Sequence, residues 1–277
     1  SSRSYKGIRM RFLGIGNIHV MRKSASSLHD RVQPGSSDDN WFSTVSSWLG
    51  HIKQILAGAM KIVDALESGE SCLIHCSDGW DRTPQLASLV QLMVDPHYRT
   101  LSGFAKLIEK EFCSFGHKFT DRCGQFYDSA ESEQCPVFVQ FLDCTWQLLQ
   151  QFPDAFEFNE QLLLFLSVHV YSGLYGSFLA NSIKSRIKSG VYKGTVSIWS
   201  DILRDPTPFI NDHYKPLFAT DNAFWQVSTI RQHPPPSEKL IQHRVLRPII
   251  SMKKLALWKS LYFRYNDGLR PAQTIRL

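Results

Sequence analysis

A cysteine and an arginine separated by five residues, Cys76 and Arg82 in the segment HCSDGWDRT at 75–83, have the types and the spacing for attack on a phosphate. A cysteine attacks phosphorus only as its thiolate, and a free thiol has a pKa of about 8.5, so positive potential has to be supplied around it. Two sources converge here. The segment follows the apolar residues SCLI and precedes a helical pattern, so the intervening backbone can turn its N–H groups inward at a helix N-terminus, where anions are stabilised. Arg82 adds a planar guanidinium whose fork fits two oxygens of a phosphate. Thr83 and Pro84 support the helix start, the threonine as an N-cap and the proline at the first helical position. As a bare pattern C-x5-R is common by chance. Between a strand and a capped helix it is a phosphate cradle carrying its own nucleophile.

The elements that hold this loop are expected to alternate. Residues 12–20, FLGIGNIHV, and 72–75 are short and apolar and are bounded by glycine or charge, which predicts two buried strands. Between them, 41–68 carries apolar residues at helical spacing, among them Val45, Trp48, Leu49, Ile52, Ile55 and Leu56, and stops at Gly69. Strand, long helix and strand form the arrangement of an α/β fold with a central sheet, here flanked by many helices. Further helices are predicted at 85–94, 104–112, 137–151 and 159–171. A proline-rich stretch at 201–243, with HPPPSEK at 233–239 as its clearest loop, precedes a helical pattern at 249–265. With no internal repeat and no low-complexity boundary, residues 1–277 read as one domain.

The bulk properties narrow the partners. With 43% hydrophobic and 20% charged residues the chain is of ordinary globular composition. Its best apolar run, LLLFLSVHV at 162–170, is half of the roughly 18 residues that mark a membrane span. A formal charge of +6 and a pI of about 9.0 bias it toward anionic partners: nucleic acid, phosphorylated substrates or an acidic membrane surface. Six cysteines match no zinc spacing and include no C-x-x-C, which points to reduced thiols in a cytosolic protein. The start, SSRSYKGIRMR, is polar and basic, with neither an initiator methionine nor a signal-peptide pattern, as in a fragment of something longer.

HCSDGWDRT resembles the active-site signature of the myotubularin family, phosphoinositide 3-phosphatases built on the cysteine-dependent phosphatase fold. The likeness extends from about residue 12 onward, through FLGIGNIHVMR at 12–22, WLGHIKQILAGA at 48–59, EKEFCSFGHKFTDRCG at 109–124, PVFVQFLDCTWQLLQQFPDAFEFNE at 136–160, GTVSIWSDI at 194–202 and SMKKLALWKSLYFRYN at 251–266. The resemblance implies that Cys76 is the nucleophile and Arg82 the phosphate clamp, that Ser77, Asp78, Gly79 and Trp80 line the loop, and that Asp81 is a general acid carried within it. Asp78 is the rival acid. His75 is expected to shape the loop through its ring.

Lys118 and Arg122, in GHKFTDR at 116–122, lie four apart and share a face if the segment is helical. The resemblance maps both to contacts with a second phosphate, although some members have arginine where this chain has Lys118, and lysine keeps the charge without the fork. It also maps Asn17 to a substrate-facing position. The implied substrates are phosphatidylinositol 3-phosphate and phosphatidylinositol 3,5-bisphosphate, with no metal, cofactor or nucleic acid. Also implied are peripheral contact with an acidic membrane, assembly with itself or with family paralogues, and a cytoplasmic location on endosomal membranes, which these lipids mark. The family's preceding pleckstrin-homology-like (GRAM) domain and the first strands of the catalytic domain are not evident in the sequence. A phosphotyrosine phosphatase and a non-catalytic phosphoinositide-binding adaptor are the alternatives.

Overall fold

The computed structural model describes residues 7–33, 35–36, 39–126, 129–216 and 245–264. Helix α1 (Ile18–Val32) begins where the extended backbone of Asn17 lets its side chain accept from the Val20 N–H at 3.1 Å, satisfying one of the orphan donors of the first turn. Helix α2 (Trp41–Glu67) buries the stripe that includes Trp48, Leu49, Ile52, Ile55, Leu56, Ala59, Ile62 and Val63. It stops as expected at Gly69, whose φ of +77° permits the chain reversal that lets the Gly69 and Glu70 N–H groups donate to the Leu66 and Ala65 carbonyls.

Helix α3 (Arg82–Val94) follows the cradle and packs along α2. The approach is close at Gly58, where an added Cβ would stand 3.2 Å from a Leu86 methyl. Helix α4 (Leu101–Ile108) continues into a π-helical turn, Glu109–Ser114, and the short α5 (Phe119–Cys123) comes next. Helix α6 (Val137–Gln151) is buried along almost its whole length, among α2, α3 and α7 (Glu160–Ser172). Three short helices complete this part, α8 (Ile183–Lys188), α9 (Val191–Gly194) and α10 (Ile198–Arg204), and α11 (Lys259–Tyr262) packs on α7.

The expected central sheet is absent among the described residues, which hold no β-strand and only two isolated bridges, Phe158 with Ile210 and Tyr175 with Val196. The α/β class is therefore corrected, for these residues, to a packing of helices. The two apolar runs misled for a physical reason. A strand is held by a ladder, and neither run has a neighbour to pair with here. Residues 11–17 have no regular secondary structure and leave Phe12 92% exposed, and from Ile18 the chain is helical; residues 72–75 are likewise irregular, with Leu73 90% exposed. Just ahead of the two stretches, the Arg9 and Glu70 side chains hydrogen-bond to each other.

The helix predictions fared better. Those at 41–68, 137–151 and 159–171 match α2, α6 and α7 to within a residue, and 104–112 corresponds to α4 plus the π turn. The pattern at 249–265 is corrected to the four residues of α11 among those described. Of the stretch 201–243, the structure describes the end of α10 and a 3-10 turn, Thr207–Phe209; HPPPSEK lies outside the described residues. No described helix is long and apolar enough to cross a membrane.

Candidate active site

Cys76 sits half-buried at the end of the segment that follows α2, and residues 77–81 turn from it into α3. Gly79 makes the turn with a φ of +94° and donates its N–H to the Cys76 Sγ at 3.1 Å. Burial alone would raise the Cys76 thiol. The Thr83 hydroxyl and the N–H groups of Gly79, Asp78 and Thr83 outweigh it and bring the thiol down to about 7. Of these donors Gly79 alone makes a bond of ordinary geometry. The Thr83 hydroxyl oxygen is shielded from solvent and has no hydrogen-bond partner, so it remains an uncommitted donor beside the sulfur.

Thr83 is thus not the N-cap of α3, as its type suggested. Asp81 holds that position, and Arg82, Thr83 and Pro84 form the first turn. Asp81 gives its carboxylate to other partners and leaves the cap without a side-chain bond, which the missing N–H of Pro84 makes less costly. Arg82, half-buried, donates to the Ile15 carbonyl at 3.2 Å and to the Ser77 hydroxyl at 3.0 Å. The Ser77 hydroxyl in turn donates to Asp78 at 3.1 Å. The His75 ring donates to the Cys76 carbonyl at 3.2 Å, the loop-shaping contact expected of it.

A second set of charges closes the other wall. Arg122 is buried and bidentate to Asp81, with Nε and Nη2 at 3.0 and 2.9 Å from the two carboxylate oxygens. Its Nη1 donates to both the backbone carbonyl and the carboxylate of Glu133, each at 2.9 Å. His117 Nδ1 lies 2.7 Å from the Trp80 carbonyl and 3.3 Å from Asp81, and because both neighbours accept, this nitrogen is assigned the proton. Burial would raise the Asp81 carboxyl; hydrogen bonds from His117 and Arg122, with their charges, hold it down at about 2. Burial would lower Arg122, and the Asp81 and Glu133 bonds raise it above its ordinary value.

The π turn explains how His117 arrives here. It buries Phe112 against Phe138 and Phe141; the His117 ring packs edge-on to Phe112 at 5.4 Å, and the backbone N–H of His117 donates to the Phe112 carbonyl at 2.8 Å.

Between the walls lies a cleft of about 370 Å³, lined by Asn17, Cys76, Ser77, Asp78, Trp80, Asp81, Arg82 and Arg122 among others. Eight of the ten residues singled out in the sequence therefore share one cavity. Gly79 stands behind it on the sulfur. Lys118 is outside the lining, half-buried at the start of α5, with Nζ 4.7 Å over the Trp80 ring and 3.7 Å from Asp121. Asn17 lines the cleft while its side chain caps α1.

Sequence reasoning missed His117 and Glu133. His117 had a usable signal, its place beside Lys118; Glu133 had none, because its contact with Arg122 depends on a turn that Arg22 of α1 holds through the Glu131, Ser132 and Gln134 carbonyls. No group of three or more His, Cys, Asp or Glu side chains that could hold a metal ion occurs among the described residues.

A family model for the myotubularin-like phosphatase domain matches residues 1–187. The chain is 43% identical over 279 aligned residues to the phosphatidylinositol-3,5-bisphosphate 3-phosphatase MTMR2 of Mus musculus, an alignment that covers 99% of this chain and 40% of that protein. The MTMR2 of Gallus gallus is also 43% identical, with 45% of it covered, and the myotubularin of Xenopus tropicalis is 41% identical, with 42% of it covered. The chain thus spans less than half the length of the curated relatives it matches.

Proposed function

The chain belongs to the myotubularin family, and on that premise we propose that it removes the 3-phosphate of phosphatidylinositol 3-phosphate and phosphatidylinositol 3,5-bisphosphate. The observation that carries the reading is geometric: Cys76, its sulfur accepting from the Gly79 N–H at 3.1 Å, lines one cleft with Arg82, and its donors bring the thiol down to about 7. At neutral pH a large share of it is thiolate, the form that attacks.

Cys76 Sγ bonds to phosphorus as the phosphorus–oxygen bond to the inositol breaks, and a proton from Asp81 neutralises the departing oxygen. Water then attacks the phosphocysteine, Asp81 takes the water's proton, and inorganic phosphate leaves as the thiolate is restored. Loop N–H groups and Arg82 stabilise the equatorial oxygens in both steps. To bind phosphate, Arg82 trades its bonds to Ile15 and Ser77 for bonds to oxygen. In the resting cleft Asp81 is ionised. A phosphate dianion in the same loop opposes that charge and raises the carboxyl, so the proton is taken up with the substrate. Asp78, exposed and paired only with Ser77, is the second carboxylate, and the pH–rate profiles of Asp81→Asn and Asp78→Asn distinguish the two roles.

The rest of the reading is that residues 1–277 are one phosphatase domain without its first strands and the preceding GRAM domain, working peripherally on acidic endosomal membranes and assembling with itself or with paralogues. The +6 charge and the phosphatidylinositol-3,5-bisphosphate in the name of the MTMR2 relatives support its contact with acidic lipid. Phosphate release from short-chain phosphatidylinositol 3-phosphate, its 4- and 5-phosphate isomers and a phosphotyrosyl peptide tests the function, with Cys76→Ser as control. Turnover confined to the 3-phosphorylated lipids and lost in the control is expected. Equal turnover of peptide and lipid would sink the lipid reading, and binding without turnover would favour an adaptor.

A further inference from the structure

Helix α8 is built inside out. Its charged Arg186 is 2% exposed and donates to the Ser177 carbonyl at 2.9 Å, whereas its apolar Ile183 and Ile187 stand 41% and 65% exposed. At 3.6 residues per turn the two isoleucines stack at i and i+4, and Lys184 and Lys188 form the adjoining stripe, so one outward arc carries apolar and cationic groups side by side. The next helix, α9, packs on α8 and adds exposed Tyr192 and Lys193. Solvent alone rewards no such arrangement, because an exposed isoleucine pair gains nothing from water while the helix buries its arginine. The charged residues of α8, α9 and the chain on either side are all basic: no aspartate or glutamate occurs between Glu160 and Asp201.

We propose that this face of α8 and α9 docks onto an anionic phospholipid bilayer. Isoleucine and tyrosine enter the headgroup boundary while lysines keep their ammonium groups at the lipid phosphates, the division of labour of an interfacial amphipathic surface. Its position suits the substrate. Ser182 and Ser185 lock the helix start in a capping box, and Asn181 before it is tied to Asp121 of α5, accepting from the Asp121 N–H at 3.2 Å and donating to its carboxylate at 2.7 Å. Because α5 carries Arg122 into the cleft, a bilayer held at α8 is held beside the active site. The importance of that placement rests on the phosphoinositide reading; the docking itself does not.

Co-sedimentation of the full chain with vesicles tests the proposal, using neutral phosphatidylcholine vesicles and vesicles doped with phosphatidylserine, both free of phosphoinositide. Turnover of a soluble short-chain substrate is followed in parallel. The parent chain is expected to bind only the anionic vesicles, with Lys184→Gln/Lys188→Gln weakening binding roughly ten- to thirty-fold and Ile187→Gln by roughly ten-fold, all with unchanged melting and unchanged turnover of the soluble substrate. Parent-like vesicle binding by the variants overturns the proposal, as does failure of the parent to bind anionic vesicles, which would assign the face to a protein or to another part of the chain. Vesicle binding without any turnover supports the surface and counts instead against the phosphatase reading.

Discussion

The two arginines of the cleft stand in opposite situations. Arg82 is half-buried and spends its donors on a backbone carbonyl and a hydroxyl, neutral acceptors that a phosphate can replace. Arg122 is buried and bonded to two carboxylates, one of them bidentate. An arginine on neutral acceptors keeps its charge available to a ligand, while one already neutralised by carboxylates serves the protein. In the proposed function Arg82 is accordingly the group assigned to the reacting phosphate, and Arg122 is first the group that fixes Asp81. Any second phosphate has to compete with Glu133 for it.

That contrast can be broken in several ways. Arg82→Ala should lower turnover by about 10²–10³-fold, the size expected for losing a preorganised donor to a developing anion, and reduce stability by only about 1 kcal/mol. Arg122→Ala should do the reverse in urea unfolding, costing about 3 kcal/mol because it strands a buried carboxylate. Equal stability losses in the two variants would erase the distinction.

Acid stability sharpens it further. The Asp81 carboxyl lies below its ordinary value when folded, so its contribution is fully present above about pH 4 and is lost as the pH falls toward 2. The contribution is on the order of 2 kcal/mol, and Asp81→Asn should flatten that slope in acid titrations followed by circular dichroism. An unchanged slope would mean that other carboxylates govern it. The smallest effect belongs to Thr83→Ala. Alkylation of Cys76 by iodoacetamide should titrate with a midpoint near pH 7, and loss of the free hydroxyl donor should move the midpoint upward by about one unit. A midpoint that does not move would leave Gly79 as the operative donor.

What could be read in the sequence follows the same division. Cys76, Asp81 and Arg82 lie within seven consecutive residues, so one loop places them and their spacing alone exposes the chemistry. The link from Asp81 to Arg122 spans 41 residues, and Glu133 joins it through a turn held by α1, a relation that no local pattern encodes. The resemblance pointed to Lys118 and Arg122 as a pair; Arg122, within α5, lines the cleft, while Lys118 at the start of α5 lies outside the lining with its ammonium over the Trp80 ring. The helices were legible wherever an apolar stripe ran for several turns, as in α2 and α6. The strands were misread because a short apolar run says nothing about whether a neighbour is present to complete its ladder, and at Ile18 the capping Asn17 outweighed it.

The most direct test of the account is to trap the covalent intermediate. The chain is mixed with short-chain phosphatidylinositol 3-phosphate, quenched in acid within the first turnover, and the peptide containing Cys76 is weighed. That peptide is expected to be heavier by one phosphoryl group, with no such adduct in Cys76→Ser and a diminished one in Arg82→Ala. Turnover that survives Cys76→Ser with no adduct on the parent would contradict it.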